Sequence, residues 1–176
     1  MKLQFLLTEK DYIEFNIYHM NHSPTYKKAI FFQRYILSLV YLILPFFFAQ
    51  TSTIPLKFWL IPFIIVWLLW VLFYKKYSHR RSLRYIRQMI KEGKVGNSLG
   101  KITIELNDKG IIETTDNGES KTKWNGIDKL GESKDYFFLY MDSLKAYIVP
   151  KRCFVNDEEK EEFVNKIKSN LSKLIL

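Results

Sequence analysis

The stretch Phe58-Trp-Leu-Ile-Pro-Phe-Ile-Ile-Val-Trp-Leu-Leu-Trp-Val-Leu-Phe-Tyr74 holds 17 residues without a charge and runs directly into Lys75-Lys76. As a helix it rises about 26 Å, close to the roughly 30 Å of a bilayer hydrocarbon core. It is apolar on every side, which suits lipid better than the one-sided stripe of a helix packed on a soluble core. Upstream, residues 35–56 give 22 more without a charge, and Lys57 alone separates the two runs. A first span over Ile30–Ala49 follows if Arg34 snorkels back to the interface. Gln50-Thr-Ser-Thr-Ile-Pro55-Leu-Lys57 reads as the turn between them. Residues 29–74 are therefore expected to form a two-helix transmembrane hairpin, following residues 1–28, an N-terminal strand and amphipathic helix.

The charges outside the hairpin set its expected orientation. Lys27, Lys28 and Arg34 precede the first span, and Lys75, Lys76, Arg80, Arg81, Arg84, Arg87, Lys91 and Lys94 follow the second. By the positive-inside rule both ends lie in the cytoplasm and the turn lies outside. Tyr35, Trp59, Tyr74 and Tyr77 suit the interfaces, whereas Trp67 and Trp70 sit deeper and read as helix-packing residues. No cleavable signal peptide is expected, because a charged segment precedes the first apolar run.

The chain of 176 residues has a formal net charge of +9, and residues 75–94 alone carry eight basic residues and one acidic, a net +7. Residues 75–97 are expected to form a basic juxtamembrane helix and linker. Arg80, Arg84, Arg87, Lys91 and Lys94 follow one another at intervals of 4, 3, 4 and 3, which makes one stripe. Leu83, Ile86 and Ile90 make an adjoining apolar stripe, a pattern suited to the headgroup layer of an anionic leaflet. Attachment to a membrane span favours lipid over nucleic acid as the partner of these charges. The bulky aromatics of the hairpin would also allow lateral association with a second copy. Gly93 and Gly96-Asn97-Ser98 are expected to end the helix.

Residues 98–176 change to short alternating runs. Lys101–Leu106, Ile111–Thr115, Ser120–Trp124, Ile127–Gly131, Asp135–Met141 and Lys145–Val149 read as strands, with turn chemistry at Asn107-Asp-Lys-Gly110, Asp116-Asn-Gly118 and Asp142-Ser143. Asn156-Asp-Glu-Glu starts a last helix, whose stripe is Phe163, Val164, Ile167, Leu171 and Leu174. Met1–Leu7 is a seventh strand, and Thr8-Glu-Lys-Asp11 caps a helix running to about His22. The expected fold is an α+β domain of the pleckstrin-homology-like kind, an antiparallel split β-barrel with a C-terminal helix, beside a membrane α-helical hairpin.

Lys123-Trp124-Asn-Gly-Ile127, Asp135-Tyr-Phe-Phe-Leu-Tyr140 and Ile148-Val-Pro150-Lys-Arg152-Cys-Phe154 before an acidic helix resemble the YcxB-like family of bacterial membrane proteins. The opening Leu7-Thr-Glu-Lys-Asp11-Tyr-Ile-Glu-Phe15 before two spans is also similar. The resemblance implies a membrane hairpin carrying a cytoplasmic pleckstrin-homology-like domain at the bacterial inner membrane. Bacteriocin-immunity proteins are among related small anchored proteins, so it also implies self-protection against a membrane-active bacteriocin as an alternative role.

Catalytic chemistry finds little support. His19 and His22 share a helix face without a third zinc ligand nearby, and Cys153 beside Arg152 has no histidine close in sequence. His79 adds to the basic segment at low pH. Asp157, Glu158, Glu159, Glu161 and Glu162 suit a helix N-terminus rather than a calcium loop. No phosphate-binding glycine loop or nucleophile elbow occurs, so no cofactor is expected. Lys121, Lys123, Trp124, Lys151 and Arg152 are a candidate basic-aromatic patch, with Trp124 also a candidate for the core. The expectation is a non-enzymatic, membrane-anchored module engaging a protein, peptide or lipid surface.

Overall fold

The computed structural model describes residues 1–95, 99–142 and 145–172. Gly96-Asn97-Ser98, Ser143 and Leu174, named above as turn or helix residues, lie outside the described residues. By its contacts the chain forms two units, Met20–Ile86 and a second made of Met1–His19 with Arg87–Leu176. The N-terminal strand thus shares a unit with the C-terminal β region.

In the helical unit, helix α2 (Pro24–Phe31) opens with Pro24 in its first turn and with the Ser23 hydroxyl accepting from the Tyr26 amide at 3.3 Å. It continues through a π-helical turn (Phe32–Ile36) and a 3₁₀ turn (Leu37–Leu39) into α3 (Val40–Thr51). Ser52, in an extended conformation, breaks the run before α4 (Leu56–Lys91) begins. Pro24–Thr51 and Leu56–Lys91 are each long and apolar enough to cross a membrane, and their most apolar windows are only 11% and 0% buried. Such exposure sets them apart from the core helices of a soluble domain.

Polar contacts tie the two apolar helices together. A π-turn leaves carbonyls without regular helical donors, and in hydrocarbon each needs another partner. The Ser38 hydroxyl donates to the Arg34 carbonyl at 2.7 Å and accepts from Trp67 Nε1 at 3.1 Å. Trp70 Nε1 donates to the Gln33 carbonyl at 3.4 Å, and the Tyr74 hydroxyl bonds the Gln33 side chain. Trp67 and Trp70 are helix-packing residues, as their depth suggested. Arg34 departs from simple snorkelling: its Nε donates to the Val71 carbonyl at 2.6 Å, so part of the guanidinium is committed to α4.

α4 differs from expectation in length. Its apolar run continues without a break into the basic segment, for 36 residues in all. Nothing between Pro62 and Gly93 breaks a helix, so the change at Tyr74 is one of composition only. Gly93 then ends it: with φ at 67° it lets its own amide reach the Ile90 carbonyl at 3.0 Å and the Lys94 amide reach the Met89 carbonyl at 2.9 Å.

The other unit holds two antiparallel sheets. Strands β1 (Lys2–Leu7), β2 (Gly100–Asn107), β3 (Gly110–Thr115) and β4 (Gly118–Lys123) pair in that order. Strands β5 (Lys129–Glu132), β6 (Tyr136–Tyr140) and β7 (Ala146–Pro150) form the second sheet. Leu3 lies opposite Ile104 and Phe5 opposite Ile102, so both strands turn the same alternate residues into the core. β6 is buried along its whole length, as a strand covered on both faces must be. Helix α1 (Glu9–His22) supplies Phe15 to this core, and α5 (Asp157–Ser172) supplies Phe163 and Ile167.

Seven strands, two apolar helices and a C-terminal helix bear out the α+β reading. The strands make two sheets, and among the described residues no ladder closes them into a barrel. The separation occurs after β4, where Trp124 turns inward through a 3₁₀ turn (Trp124–Gly126) and donates Nε1–H to the Asn107 carbonyl at 3.0 Å. The chain then starts a new sheet at Lys129 instead of continuing the first.

Gly110 opens β3 with φ at 153°, and a Cβ there would stand 2.1 Å from the Thr122 carbonyl oxygen. Gly110→Ala should therefore destabilise the β unit by at least about 1–3 kcal/mol, since backbone rather than a movable side chain blocks the space. Thermal unfolding of the full chain in detergent checks this, with exposed Gly118→Ala, where the Cβ meets nothing within 4 Å, isolating the strain from the clash.

Candidate functional site

One face of α4 carries Leu72, Lys75, Lys76, His79 and Arg80, spaced i, i+3, i+4, i+7 and i+8. Lys27, Ile30, Phe31 and Arg34 repeat that spacing on α2 and the π-turn. Both faces line one cavity of about 1050 Å³ within the helical unit. Lys27, Arg34, Lys75, Lys76 and Arg80 give it five formal positive charges, and no carboxylate lines it. Ile30, Phe31 and Leu72 supply an apolar wall. Tyr26 also lines it, and its hydroxyl is buried with no hydrogen-bond partner among the described residues.

All eight basic residues expected at the membrane surface are exposed: Lys75, Lys76, Arg80, Arg81, Arg84, Arg87, Lys91 and Lys94. They do not form a separate helix lying flat in a headgroup layer, because that would require a break near Tyr74 and α4 has none. From Tyr74 to Lys91 the helix rises about 25 Å, so the charges climb its axis. Ile86 and Ile90 of the expected lipid-facing stripe are buried in protein, and Leu83 is half-buried. Only Lys75, Lys76 and Arg80 of the eight share the cavity, and Lys94 pairs with Glu92 at 2.6 Å.

The candidate patch on the β unit resolves into separate engagements. Trp124 is core, 6% exposed. Lys121 pairs with Glu119 at 2.7 Å, and Lys151 pairs with Glu132 at 2.5 Å while lying over the Phe137 ring. Lys123 is exposed on β4. Arg152 grips the buried carboxylate of Asp11 from both nitrogens, Nη1 to Oδ1 and Nη2 to Oδ2, each at 2.7 Å.

Asp11 is the most heavily bonded side chain of the β unit, at 1% exposure. Its carboxylate also accepts from the Thr8 amide at 2.7 Å, the Thr8 hydroxyl at 2.8 Å and the Tyr136 hydroxyl at 2.7 Å. The Asp11 amide returns a bond to the Thr8 hydroxyl at 3.4 Å, completing the expected cap of α1. Burial pushes the Asp11 carboxyl up, but the bonds from Arg152, Thr8 and Tyr136 outweigh it and hold the group well below the usual carboxylate range. Burial and the Asp11 charge push the Tyr136 hydroxyl up to about 12. Spacing signalled the cap, but nothing local signalled the partnership with Arg152, 141 residues away.

The remaining candidates have structural surroundings. Burial pushes the Cys153 thiol up to about 11, away from a reactive thiolate. His19 packs beside the rings of Phe15 and Tyr140, with centroids at 6.1 and 6.2 Å, and burial lowers its pKa. Among the described residues no cluster of three or more metal-ligating side chains occurs. Asn156 caps α5 by accepting from the Glu159 amide at 2.8 Å, and Glu159 returns a bond from the Val155 amide at 2.8 Å. A second cavity, of about 520 Å³, lies inside the β unit between Tyr12, Phe15, Glu113, Met141 and Tyr147. Burial raises the Glu113 carboxyl.

Residues 106–167, from the end of β2 into α5, match the family described as YcxB-like protein. This stretch is similar to a YcxB-like domain. No curated protein and no solved structure matches the chain. The matched stretch takes in strands β3 to β7 and most of α5, and with them Trp124, Tyr136 and Arg152. β1, α1 and both apolar helices lie outside the matched residues, so the carboxylate that Arg152 holds comes from beyond the match.

Proposed function

We propose that the chain is a non-enzymatic binding module anchored in the bacterial inner membrane, with both termini in the cytoplasm. The two-sheet unit, which we read as pleckstrin-homology-like, engages a protein, peptide or lipid surface at the inner leaflet. The observation that carries this reading is the continuity of α4, an exposed apolar span that becomes a densely basic segment within one unbroken helix. A helix of 36 residues extends about 54 Å, well beyond a hydrocarbon core of about 30 Å, so its basic end projects from the bilayer. Basic residues collect on the cytoplasmic side; the turn between the spans carries no charge, and Lys57, in the first turn of α4, is the one basic residue beside it.

Cysteine labelling in intact cells tests this arrangement. In a Cys153→Ser background, Thr53→Cys should react with a membrane-impermeant maleimide from outside, and Lys109→Cys should react only after permeabilisation. Labelling of Lys109→Cys in intact cells, or extraction of the chain from membranes by high salt, would overturn the reading.

A further inference from the structure

We infer that the cavity between α2 and α4 is a binding site for one anionic phospholipid, held by its phosphate. The inference rests on the membrane reading above and goes further, from a general basic surface to a single built site. Its charge selects the ligand: Lys27, Arg34, Lys75, Lys76 and Arg80 converge on one cavity without a carboxylate to neutralise them. Five cations that line one space repel one another, and an anion among them removes that cost. The cavity also has an apolar wall of Ile30, Phe31 and Leu72, two of them strongly exposed, Phe31 at 59% and Leu72 at 66%. Free phosphate has no use for that wall, whereas an acyl chain beside its own phosphate does.

Two local features fit the same occupant. The π-helical turn Phe32–Ile36 falls at Arg34, whose Nε bonds the Val71 carbonyl at 2.6 Å, which fixes the guanidinium to α4. The Tyr26 hydroxyl is buried in the cavity lining without a partner, and a phosphate or glycerol oxygen would supply one.

The test uses the full chain in detergent, with native mass spectrometry and added phosphatidylglycerol, phosphatidylethanolamine or inorganic phosphate. Wild type should retain one phosphatidylglycerol in clear preference to phosphatidylethanolamine, and millimolar phosphate should not displace it. The variant Lys27→Gln, Lys76→Gln, Arg80→Gln should bind it about tenfold or more weakly, in line with the loss of charge-assisted bonds. A control that removes as much charge away from the cavity, Arg84→Gln, Arg87→Gln, Lys91→Gln, should bind like wild type. Tyr26→Phe, which retains the ring, should weaken retention several-fold.

Equal weakening in both triple variants would overturn the site and leave only diffuse attraction. Displacement by phosphate would overturn the lipid as its source. Correct cysteine labelling with no preference for phosphatidylglycerol defeats this inference alone, whereas inverted labelling defeats the membrane reading beneath it.

Discussion

Arg152→Met should lower the stability of the β unit by about 2–4 kcal/mol at pH 7, among the largest effects of any single substitution in this chain. The cause is asymmetric burial. The Arg152 side chain is 51% exposed and can be hydrated when unpaired, but the Asp11 carboxylate is 1% exposed and cannot. Methionine replaces the stem and leaves a buried anion with only the Thr8 and Tyr136 donors. The half-exposed guanidinium places the loss towards the lower part of the range for broken buried pairs.

The pH dependence separates this explanation from lost packing. Asp11 has its folded pKa depressed below an ordinary 3.8, so its contribution is complete above about pH 4 and disappears as pH falls further. Tyr136 has its pKa raised from 10.0 to about 12, so its contribution is present below pH 10 and is lost as pH rises through 12. The network is therefore at full strength between about pH 4 and pH 10. Denaturant unfolding of the full chain in detergent should show a difference between wild type and Arg152→Met that is constant across this range. Below pH 4 that difference should shrink, as the carboxyl protonates and no longer needs its cation. A difference that persists unchanged at pH 2.5 would mean that the arginine stem, and not the ion pair, stabilises the fold.

Much of the fold is legible in the chain because its elements announce themselves locally. Strict alternation in Lys101–Leu106 places Ile102, Ile104 and Leu106 on one face, and those three residues are buried. Asn117-Gly118 turns β3 into β4, Gly93 ends α4, and Asn156 starts α5. What escapes the sequence is relational. The run of seven strands does not say which edges pair, so two sheets are as compatible with it as a barrel. The boundary at Tyr74 looks like the end of an element because charge begins there, yet Lys and Arg are good helix formers and the helix continues. The cavity face was within reach: Leu72, Lys75, Lys76, His79 and Arg80 have helical spacing, but the longer stripe from Arg80 to Lys94 masks it. Lys121, Lys151 and Arg152 read as a shared basic patch because their carboxylate partners, Glu119, Glu132 and Asp11, cannot all be recognised from neighbouring residues.

Phe163→Ala should cost the β unit about 3–5 kcal/mol, the range for deleting a large aromatic from a sealed core. Phe163 is fully buried, with its ring centroid 5.6 Å from that of Phe137 on β6 and 5.1 Å from that of Phe154. Neither neighbour can close the space: Phe137 is held in the middle sheet strand, and Phe154 already meets both other rings at steep angles. One turn on, Ile167 is also fully buried, so α5 enters the core through two adjacent rungs. Removing the larger should loosen the helix as well as leave a cavity. Hydrogen exchange of the full chain in detergent checks both consequences. Protection should fall along α5 and across β6 together, while Val155→Ala, at a position 89% exposed, should leave stability within about 0.5 kcal/mol of wild type. Loss confined to α5 would make the helix a surface appendage. Shared loss makes it the closing element of the sheet, which agrees with a YcxB-like match that runs into α5 and stops at Ile167, the second of its two fully buried residues.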